Sequence, residues 1–373
     1  MSQKEKKRIA VLPGDGIGPE VIAQAIKALK AIEKAYGHQF IYKEALVGAA
    51  AIEATGEPLP KETLDLCMKS DAVLFGAIGD PKYDNDPNAL VRPEQGLLKL
   101  RKMLGVFANI RPVRAYKALY KMSPLKTEYI KGVDFLIYRE LTGGIYFGEK
   151  SRTETTATDT CTYSIEEIER IAHQAFKAAQ LRRKRVTLID KANIMETSRL
   201  WRDTVQKIAP QYKDVKLDFL FIDHAAIELI LNPKRFDVIL TENLFGDIIS
   251  NEASILVGSL GLLPSASIGT SSAMFQPVHG TFTQAKGQDI ANPFAAILSA
   301  ALLLDYFEMY EEGEAIKKAV IILLESGIVT KDLNNQSYFS TTTIGDMVAE
   351  YILDKGKVTT HTANVDLGKS TII

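Results

Sequence analysis

Apolar positions along the chain fall into two patterns. Val21, Ile22, Ala25, Ile26, Leu29 and Ile32 recur at three- and four-residue spacing, which predicts a helix laying one face on a sheet, with Pro19 suited to its first position. The preceding run 9–12 reads as a strand ending at Leu12, and Pro13-Gly14-Asp15-Gly16-Ile17-Gly18 as the loop between them. Residues 72–78 are apolar without a break, as a strand buried on both faces requires, and pass into Gly79-Asp80-Pro81. Further strands are predicted at 134–139, 185–190 and 236–240. Ser164 and Glu167 form a capping-box pattern ahead of Ile165, Ile168, Ile171, Ala175 and Phe176 on one helical face. Asn292-Pro293 opens a helix whose run 295–304 is apolar nearly all round and should be fully buried. A helix is also expected over 244–256, and the apolar stretch 253–263 reads as a core helix. Alternating strands and helices of this kind define an α/β fold.

Composition narrows the class. At roughly 150 residues per domain, 373 residues suggest two domains, although no repeat or Gly/Ser-rich linker marks a boundary. An apolar share of 46% with 24% charged residues excludes a disordered chain. Lys plus Arg number 45 against 46 Asp plus Glu, a net charge of −1, so no nucleic-acid partner is expected. The longest charge-free stretch, after Glu252, is cut by Gly258, Gly261 and Pro264, so no membrane span is expected either. Cys67 and Cys161 stand alone, and the basic leader 1–8 precedes too short an apolar run for an export signal, both of which fit a reducing cytoplasm. The polar, Thr-rich segment 150–160 should protrude as an extended arm.

Several residues carry candidate chemistry. Gly14-Asp15-Gly16-Ile17-Gly18 matches neither GxGxxG nor a P-loop, and a tight strand-to-helix turn explains its glycines without a ligand. Arg101, Arg111 and Arg139 lie near a predicted helix and strand ends; converged, three guanidiniums would suit a polycarboxylate, whereas spacing alone leaves each open as a solvated charge. Asp247 and Asn251, four apart, share a helical face and could offer oxygen donors to Mg²⁺ or Mn²⁺ or simply form a surface pair. Glu252 is turned off that face by about 100° per residue. Lys191, after a strand, and Tyr146, in a glycine-rich loop, are residue types able to act as base and acid. His279-Gly280-Thr281 is open as a ligand-binding turn or a hydrogen-bonded loop.

Taken in order, the strings Leu12-Pro13-Gly14-Asp15-Gly16-Ile17-Gly18-Pro19-Glu20, 139–148, Asp190-Lys191-Ala192-Asn193, Asn243-Leu244-Phe245-Gly246-Asp247 and Ile290-Ala291-Asn292-Pro293 closely resemble those of the isocitrate/isopropylmalate β-decarboxylating dehydrogenases, nearly end to end. The resemblance implies a two-domain α/β fold of that family, not a Rossmann fold. Residues 1–106 plus 258–373 would form a cofactor-side domain, and 107–257 a dimerisation and metal-side domain with an arm around 150–163. It implies a homodimer with shared sites that oxidatively decarboxylates a malate-type acid with NAD and Mg²⁺ or Mn²⁺. Arg101, Arg111 and Arg139 match the malate clamp; Tyr146 matches the acid that protonates C3; Lys191, from the other chain, matches the base on the C2 hydroxyl. Asp247, Asn251 and the other chain's Asp223 match metal-ligand positions, Asp223 also bordering the substrate. Gly79, His279, Gly280, Thr281, Gln284 and Asn292 match the NAD loops. Glu94, Leu97 and Leu98, with Ile194 of the other chain, match the wall around the γ-substituent; its apolar members favour 3-isopropylmalate, giving 4-methyl-2-oxopentanoate, the precursor of leucine.

Three positions depart from the family pattern. Asn251 and Gln284 stand where the family has Asp, and Gln276 where it has Glu. The first removes a negative charge at the metal, and the second removes the charge that repels a 2′-phosphate, although no basic residue at 284 or 285 invites NADP. The rival readings are a related dehydrogenase of D-malate, tartrate or homoisocitrate, which the apolar wall opposes, and a non-catalytic ligand-binding subunit, which the intact Lys191, Tyr146 and arginines oppose.

Overall fold

The computed structural model describes residues 6–86 and 89–354; the first five residues of the basic leader, and 355–373 of the expected first domain, lie outside the described residues. In chain order come β1 (Lys7–Gly14), α1 (Gly18–Tyr36), β2 (Phe40–Glu44), β3 (Ala72–Ala77), α2 (Pro93–Leu104), β4 (Ala108–Arg114) and β5 (Asp134–Glu140). The short pair β6 (Lys150–Arg152) and β7 (Ala157–Asp159) precedes α3 (Ile165–Gln180), β8 (Arg185–Asp190), α4 (Glu196–Ile208) and β9 (Lys216–Phe221). After these come α5 (Ile222–Leu231), β10 (Val238–Thr241), α6 (Asn243–Glu252), β11 (Pro264–Ile268), β12 (Ala273–Pro277), α7 (Phe294–Tyr306), α8 (Tyr310–Glu325) and α9 (Thr341–Leu353).

One ten-stranded sheet runs β2-β1-β3-β12-β11-β4-β5-β10-β8-β9. Its two ends are parallel, but β11 lies antiparallel to both β12 and β4, and β4 antiparallel to β5. That central antiparallel segment departs from the all-parallel Rossmann sheet. Five strands come from residues 7–77 and 264–277, the other five from 108–241, and they meet at the β11–β4 pair.

The apolar patterns find their partners. α1 buries Val21, Ile22, Ala25, Leu29 and Ile32, and α7 is buried almost throughout from Phe294 to Leu304. Each such large aliphatic or aromatic side chain contributes about 1.5–3 kcal/mol on leaving water. In the other half, Phe176 of α3 and Trp201 of α4 pack with Val186 and Leu188 of β8. Ser164 caps α3 as expected, its Oγ accepting from Glu167 N at 3.2 Å while Glu167 Oε2 accepts from Ser164 N at 2.8 Å.

Several boundaries move. β1 continues to Gly14, past the expected end at Leu12, because Gly14 stays in register with Ala77 of β3. α1 opens at Gly18, so Pro19 is its second residue. The expected helix 244–256 stops at Glu252, and the stretch 253–263 is not one helix. Only Ser254–Val257 is helical there; Gly258, at φ +98°, takes a left-handed conformation that ends it, and Ser259 Oγ accepts from Gly261 N to start a 3-10 turn. The Thr-rich segment is an exposed hairpin, β6 on β7. Among the described residues no helix is long and apolar enough to cross a membrane.

Candidate active site

The glycine loop after β1 is a packing device. Gly14 and Gly16 have φ of +72° and +58°, and a Cβ on Gly16 would stand 2.1 Å from the Thr281 carbonyl oxygen, so the glycines admit neighbouring backbone. Asp15 pins the region: its carboxylate accepts from the backbone N–H groups of Ala49, Ala50 and Gly79, each at 2.9 Å.

Beside this loop a cavity of about 390 Å³ opens where β4, β5, α2 and α6 approach one another. Glu94, Leu97, Leu98, Arg101, Arg111, Arg139, Tyr146 and Asp247 all line it, so residues up to 153 positions apart in the chain converge there. Gln276, His279 and Gly280 also reach it, as does Lys150 at the base of the arm, which sequence patterns did not single out.

Arg111 and Arg139 are held by hydrogen bonds. Arg139 Nε donates to the Asn243 carbonyl at 2.9 Å, its Nη2 to Asn243 Oδ1 at 2.7 Å, and its Nη1 to Asp247 Oδ1 at 2.6 Å. Arg111 Nε donates to Asn109 Oδ1 at 2.7 Å and Nη1 to Ser250 Oγ, leaving Nη2 3.6 Å from Asp247 Oδ1. Arg101 Nε is buried without a hydrogen-bond partner. Burial first, and the neighbouring Arg139 second, push Arg101 and Arg111 down to about 9. Both remain cationic at neutral pH. A buried donor without an acceptor, amid positive charges that Asp247 offsets only in part, suits an anion.

Tyr146 Oη donates to Asp247 Oδ2 at 3.1 Å, and burial, reinforced by that carboxylate, raises its pKa. Burial alone would raise Asp247, but Arg139 and Arg111 outweigh it and hold the carboxyl below its usual range. One turn further along α6, Asn251 Nδ2 donates to the Asp247 carbonyl at 3.0 Å, which leaves its amide oxygen as the atom for a cation. Asp247 lines the cavity, whereas Asn251 is exposed and is not among its lining residues; their oxygens are hard donors of the kind Mg²⁺ or Mn²⁺ takes, but only part of a coordination shell. Among the described residues no group of three His, Cys, Asp or Glu could hold a metal within one chain.

Lys191, Ile194 and Asp223 are not among the residues lining this cavity in their own chain. Lys191 Nζ donates to Asp223 Oδ1 at 2.6 Å, and the Asp223 side chain is 69% exposed, as is Ile194. They form a separate outward-facing group carrying an amine, a carboxylate and an apolar side chain.

A second cavity, of about 510 Å³, abuts the first through His279 and Gly280. Ile17, Leu260, Ile290 and Asn292 border it, with Lys331 and Asp332 at one side. Of the expected cofactor residues, His279, Gly280 and Asn292 line it. Gly79, Thr281 and Gln284 do not: Gly79 N bonds Asp15, the Thr281 carbonyl accepts from Ile17 N at 2.9 Å, and Gln284 lies exposed in a 3-10 turn. His279 Nδ1 donates to the Gly280 carbonyl at 2.9 Å, Nε2 is left without a partner, and burial lowers its pKa, so the ring is a neutral acceptor between the two cavities. Asn109, Ser250 and Asn243, which aim Arg111 and Arg139, are not singled out by sequence patterns except that Asn243 begins one of the motifs; only Asn109, two residues before Arg111, lies near its arginine in the chain.

An arginine-lined cleft with a tyrosine–aspartate pair, joined to a largely apolar cavity, defines an enzyme that works on a polyanionic small molecule beside a second bound group. The description "Isocitrate/isopropylmalate dehydrogenase" fits the chain over residues 8–348, and the chain belongs to that family of oxidoreductases. It is 51% identical over 347 residues to the 3-isopropylmalate dehydrogenase of Bacteroides fragilis strain YCH46, covering 92% of this chain and 98% of that protein. It is 50% identical over 345 residues to that of Bacillus subtilis strain 168, covering 90% and 94%. Among solved structures, isocitrate dehydrogenase from Methylococcus capsulatus superimposes with a TM-score of 0.84 at 32% identity, covering 93% of this chain and 99% of that one. A β-decarboxylating dehydrogenase from Thermococcus kodakarensis gives 0.77 at 35% identity, covering 93% and 96%.

Proposed function

We propose that this chain oxidatively decarboxylates 3-isopropylmalate to 4-methyl-2-oxopentanoate, on the route to leucine, as a cytoplasmic homodimer using NAD and Mg²⁺ or Mn²⁺. The observation that carries this reading is the single cavity in which three buried arginines, Tyr146 and Asp247 meet Leu97 and Leu98. The names of relatives about 50% identical over nine-tenths of the chain support the same substrate.

Each group has a task. Arg101, Arg111 and Arg139 grip the malate carboxylates, and the hydrogen-bonded Arg111 and Arg139 orient C2 and C3 before reaction. Glu94, Leu97 and Leu98 form the wall beside the isopropyl group, with Ile194 of the second copy completing it; an added carboxylate on that side would lose hydration against leucine side chains. Lys191 of the second copy takes the C2 hydroxyl proton. Tyr146 delivers a proton to C3 once CO₂ has left, and its raised pKa keeps it protonated for that step. Asp247, Asn251 and the second copy's Asp223 would hold the divalent ion. When bound, that ion supplies Lewis-acid stabilisation of the substrate's oxygen charge, and NAD supplies the hydride acceptor. His279, Gly280 and Asn292, which line the second cavity, would hold NAD together with the flanking Gly79, Thr281 and Gln284, the last offering hydrogen bonds to the adenosine ribose. The exposed Lys191–Asp223 group supports the dimer, because these residues lie outside the cavity of their own chain. The meeting of the two strand sets at β11–β4 supports domains of 1–106 plus 258–373 and 107–257.

The test is reduced-cofactor absorbance with purified protein, each of 3-isopropylmalate, D-malate and isocitrate, either NAD or NADP, and Mg²⁺, Mn²⁺ or EDTA. Turnover confined to 3-isopropylmalate and NAD, and abolished by EDTA, is expected. No turnover with any pair, from a folded dimer, would overturn the assignment in favour of a non-catalytic subunit.

A further inference from the structure

A buried carboxyl group outside the cavity stands behind Lys191. Lys191 follows β8, and its carbonyl accepts from the N–H groups of Ile194 and Met195, both at 2.9 Å. Its own N–H donates to Ser198 Oγ at 3.0 Å. Ser198, in the first turn of α4 and fully buried, donates a hydrogen bond from its hydroxyl to Glu242 Oε1 at 2.9 Å. Glu242 is 4% exposed and follows β10, whose Thr241 Oγ1 bonds the Ile189 carbonyl, so the ends of β8 and β10 are fastened side by side.

We propose that Glu242 is a positioning residue for Lys191, acting through the Ser198 hydroxyl. The chain Glu242–Ser198–Lys191 fixes the backbone from which the lysine side chain extends, and with it the aim of Nζ. Glu242 also immediately precedes α6, which carries Asp247, and so stands at the root of two functional groups. Its side chain makes no capping bond to α6, which directs its influence toward Lys191. Because the reading above places Lys191 in the second copy's cavity, on which this inference rests, Glu242 of one chain serves the active site of the other.

Three variants separate bulk from bonding. Glu242→Leu keeps volume and removes the acceptor, Ser198→Ala removes the relay, and Glu242→Gln keeps an acceptor oxygen. With 3-isopropylmalate, NAD and Mn²⁺, E242L and S198A should lose about ten-fold or more in kcat, with both KM values within about two-fold. E242Q should stay within about two-fold of the unsubstituted enzyme, since its amide oxygen accepts the same hydrogen bond. If E242L does not fold, S198A carries the comparison.

Mixed dimers then locate the effect. A chain bearing Tyr146→Phe, paired through a second tag with an S198A chain, leaves one site with its own tyrosine and a correctly held lysine, so about half the unsubstituted activity should return. The control pairs Y146F with Lys191→Met. If the control recovers activity but the S198A pair does not, Glu242 and Ser198 act within their own chain's cavity and the proposal is overturned. Unchanged kcat in E242L and S198A, or an equal loss in E242Q, also overturns it. If the control itself stays silent, the shared site fails and takes this proposal with it; failure of the unsubstituted enzyme to turn over overturns the assigned reaction.

Discussion

Arg139 and Gly246 are in contact: an ideal Cβ on Gly246 would stand 2.6 Å from Arg139 Cγ and 2.8 Å from its Cβ, one residue before the aspartate that receives the Arg139 guanidinium. The glycine lets α6 approach β5 closely enough for that ion pair to form. Gly246→Ala must therefore move either the helix or the arginine, and with them the Arg139–Asp247 geometry. We expect a loss of about 1–3 kcal/mol in stability from overpacking, together with a raised KM for 3-isopropylmalate. Urea unfolding and steady-state kinetics check both; a variant unchanged in each would show that the contact yields without consequence.

The crowded arginines predict a pH dependence at the alkaline side. Arg101 and Arg111 are pushed down to about 9, by burial and then by Arg139, so they lose positive charge as pH rises through that value. The free enzyme then binds a dianion less well, and kcat/KM should fall above about pH 9. A bound dianion favours the charged guanidiniums, so kcat should hold to higher pH than kcat/KM. The two profiles, recorded with the same buffers and ionic strength, decide the point; coincident falls would place the titration elsewhere.

Selectivity should reside in the leucines. Leu98 lines the cavity from α2, between Glu94 and Arg101, and truncation to Ala leaves the isopropyl group without part of its wall. Losing that contact should cost about 1–3 kcal/mol of transition-state binding, or roughly ten-fold to two-hundred-fold in kcat/KM for 3-isopropylmalate. D-malate has no branch to lose, so its kcat/KM should change little. Parallel losses on both substrates would mean that Leu98 supports the fold of α2 rather than the choice of substrate.

How much of this site could be read in the sequence depends on how local its causes are. Strands β1, β3, β5 and β8 showed themselves because they are rich in large apolar residues, and α1, α3 and α7 because their periodicity or caps are strong. By contrast β11, Pro264-Ser265-Ala266-Ser267-Ile268, is built from small residues that fit a crowded sheet centre, and nothing in its composition announces a strand. The end of the helical turn Ser254–Val257, which keeps 253–263 from being one helix, depends on Gly258 adopting a left-handed conformation that an apolar count cannot see. The three arginines were identifiable as candidates, but the aim of Arg111 and Arg139 depends on Asn109, Ser250 and Asn243, up to 139 positions away from the arginine they hold. Likewise Ser198 and Glu242 are 44 residues apart and meet only because β8 and β10 pair.

Glu242 makes a prediction about stability that is separate from its role behind Lys191. Burial first, with Asp190 adding repulsion, raises its carboxyl to about 7 against the opposing pull of the Ser198 hydroxyl. The folded state therefore holds this proton over a range where the unfolded chain, with an ordinary glutamate near 4.5, has released it. Where the folded state binds more protons, stability falls as pH rises, so the penalty grows from about pH 4.5 to about pH 7 and is full above that. Converted at 1.36 kcal/mol per pH unit, it amounts to about 3 kcal/mol. Glu242→Gln cannot ionise and keeps an acceptor for Ser198. Relative to the unsubstituted protein, it should gain up to about 3 kcal/mol at pH 8 over its difference at pH 4.5. Urea unfolding at the two pH values and at one fixed protein concentration, as an oligomer requires, gives that double difference directly. A gain of the same size at both pH values would show that the glutamate's charge is not what burial penalises.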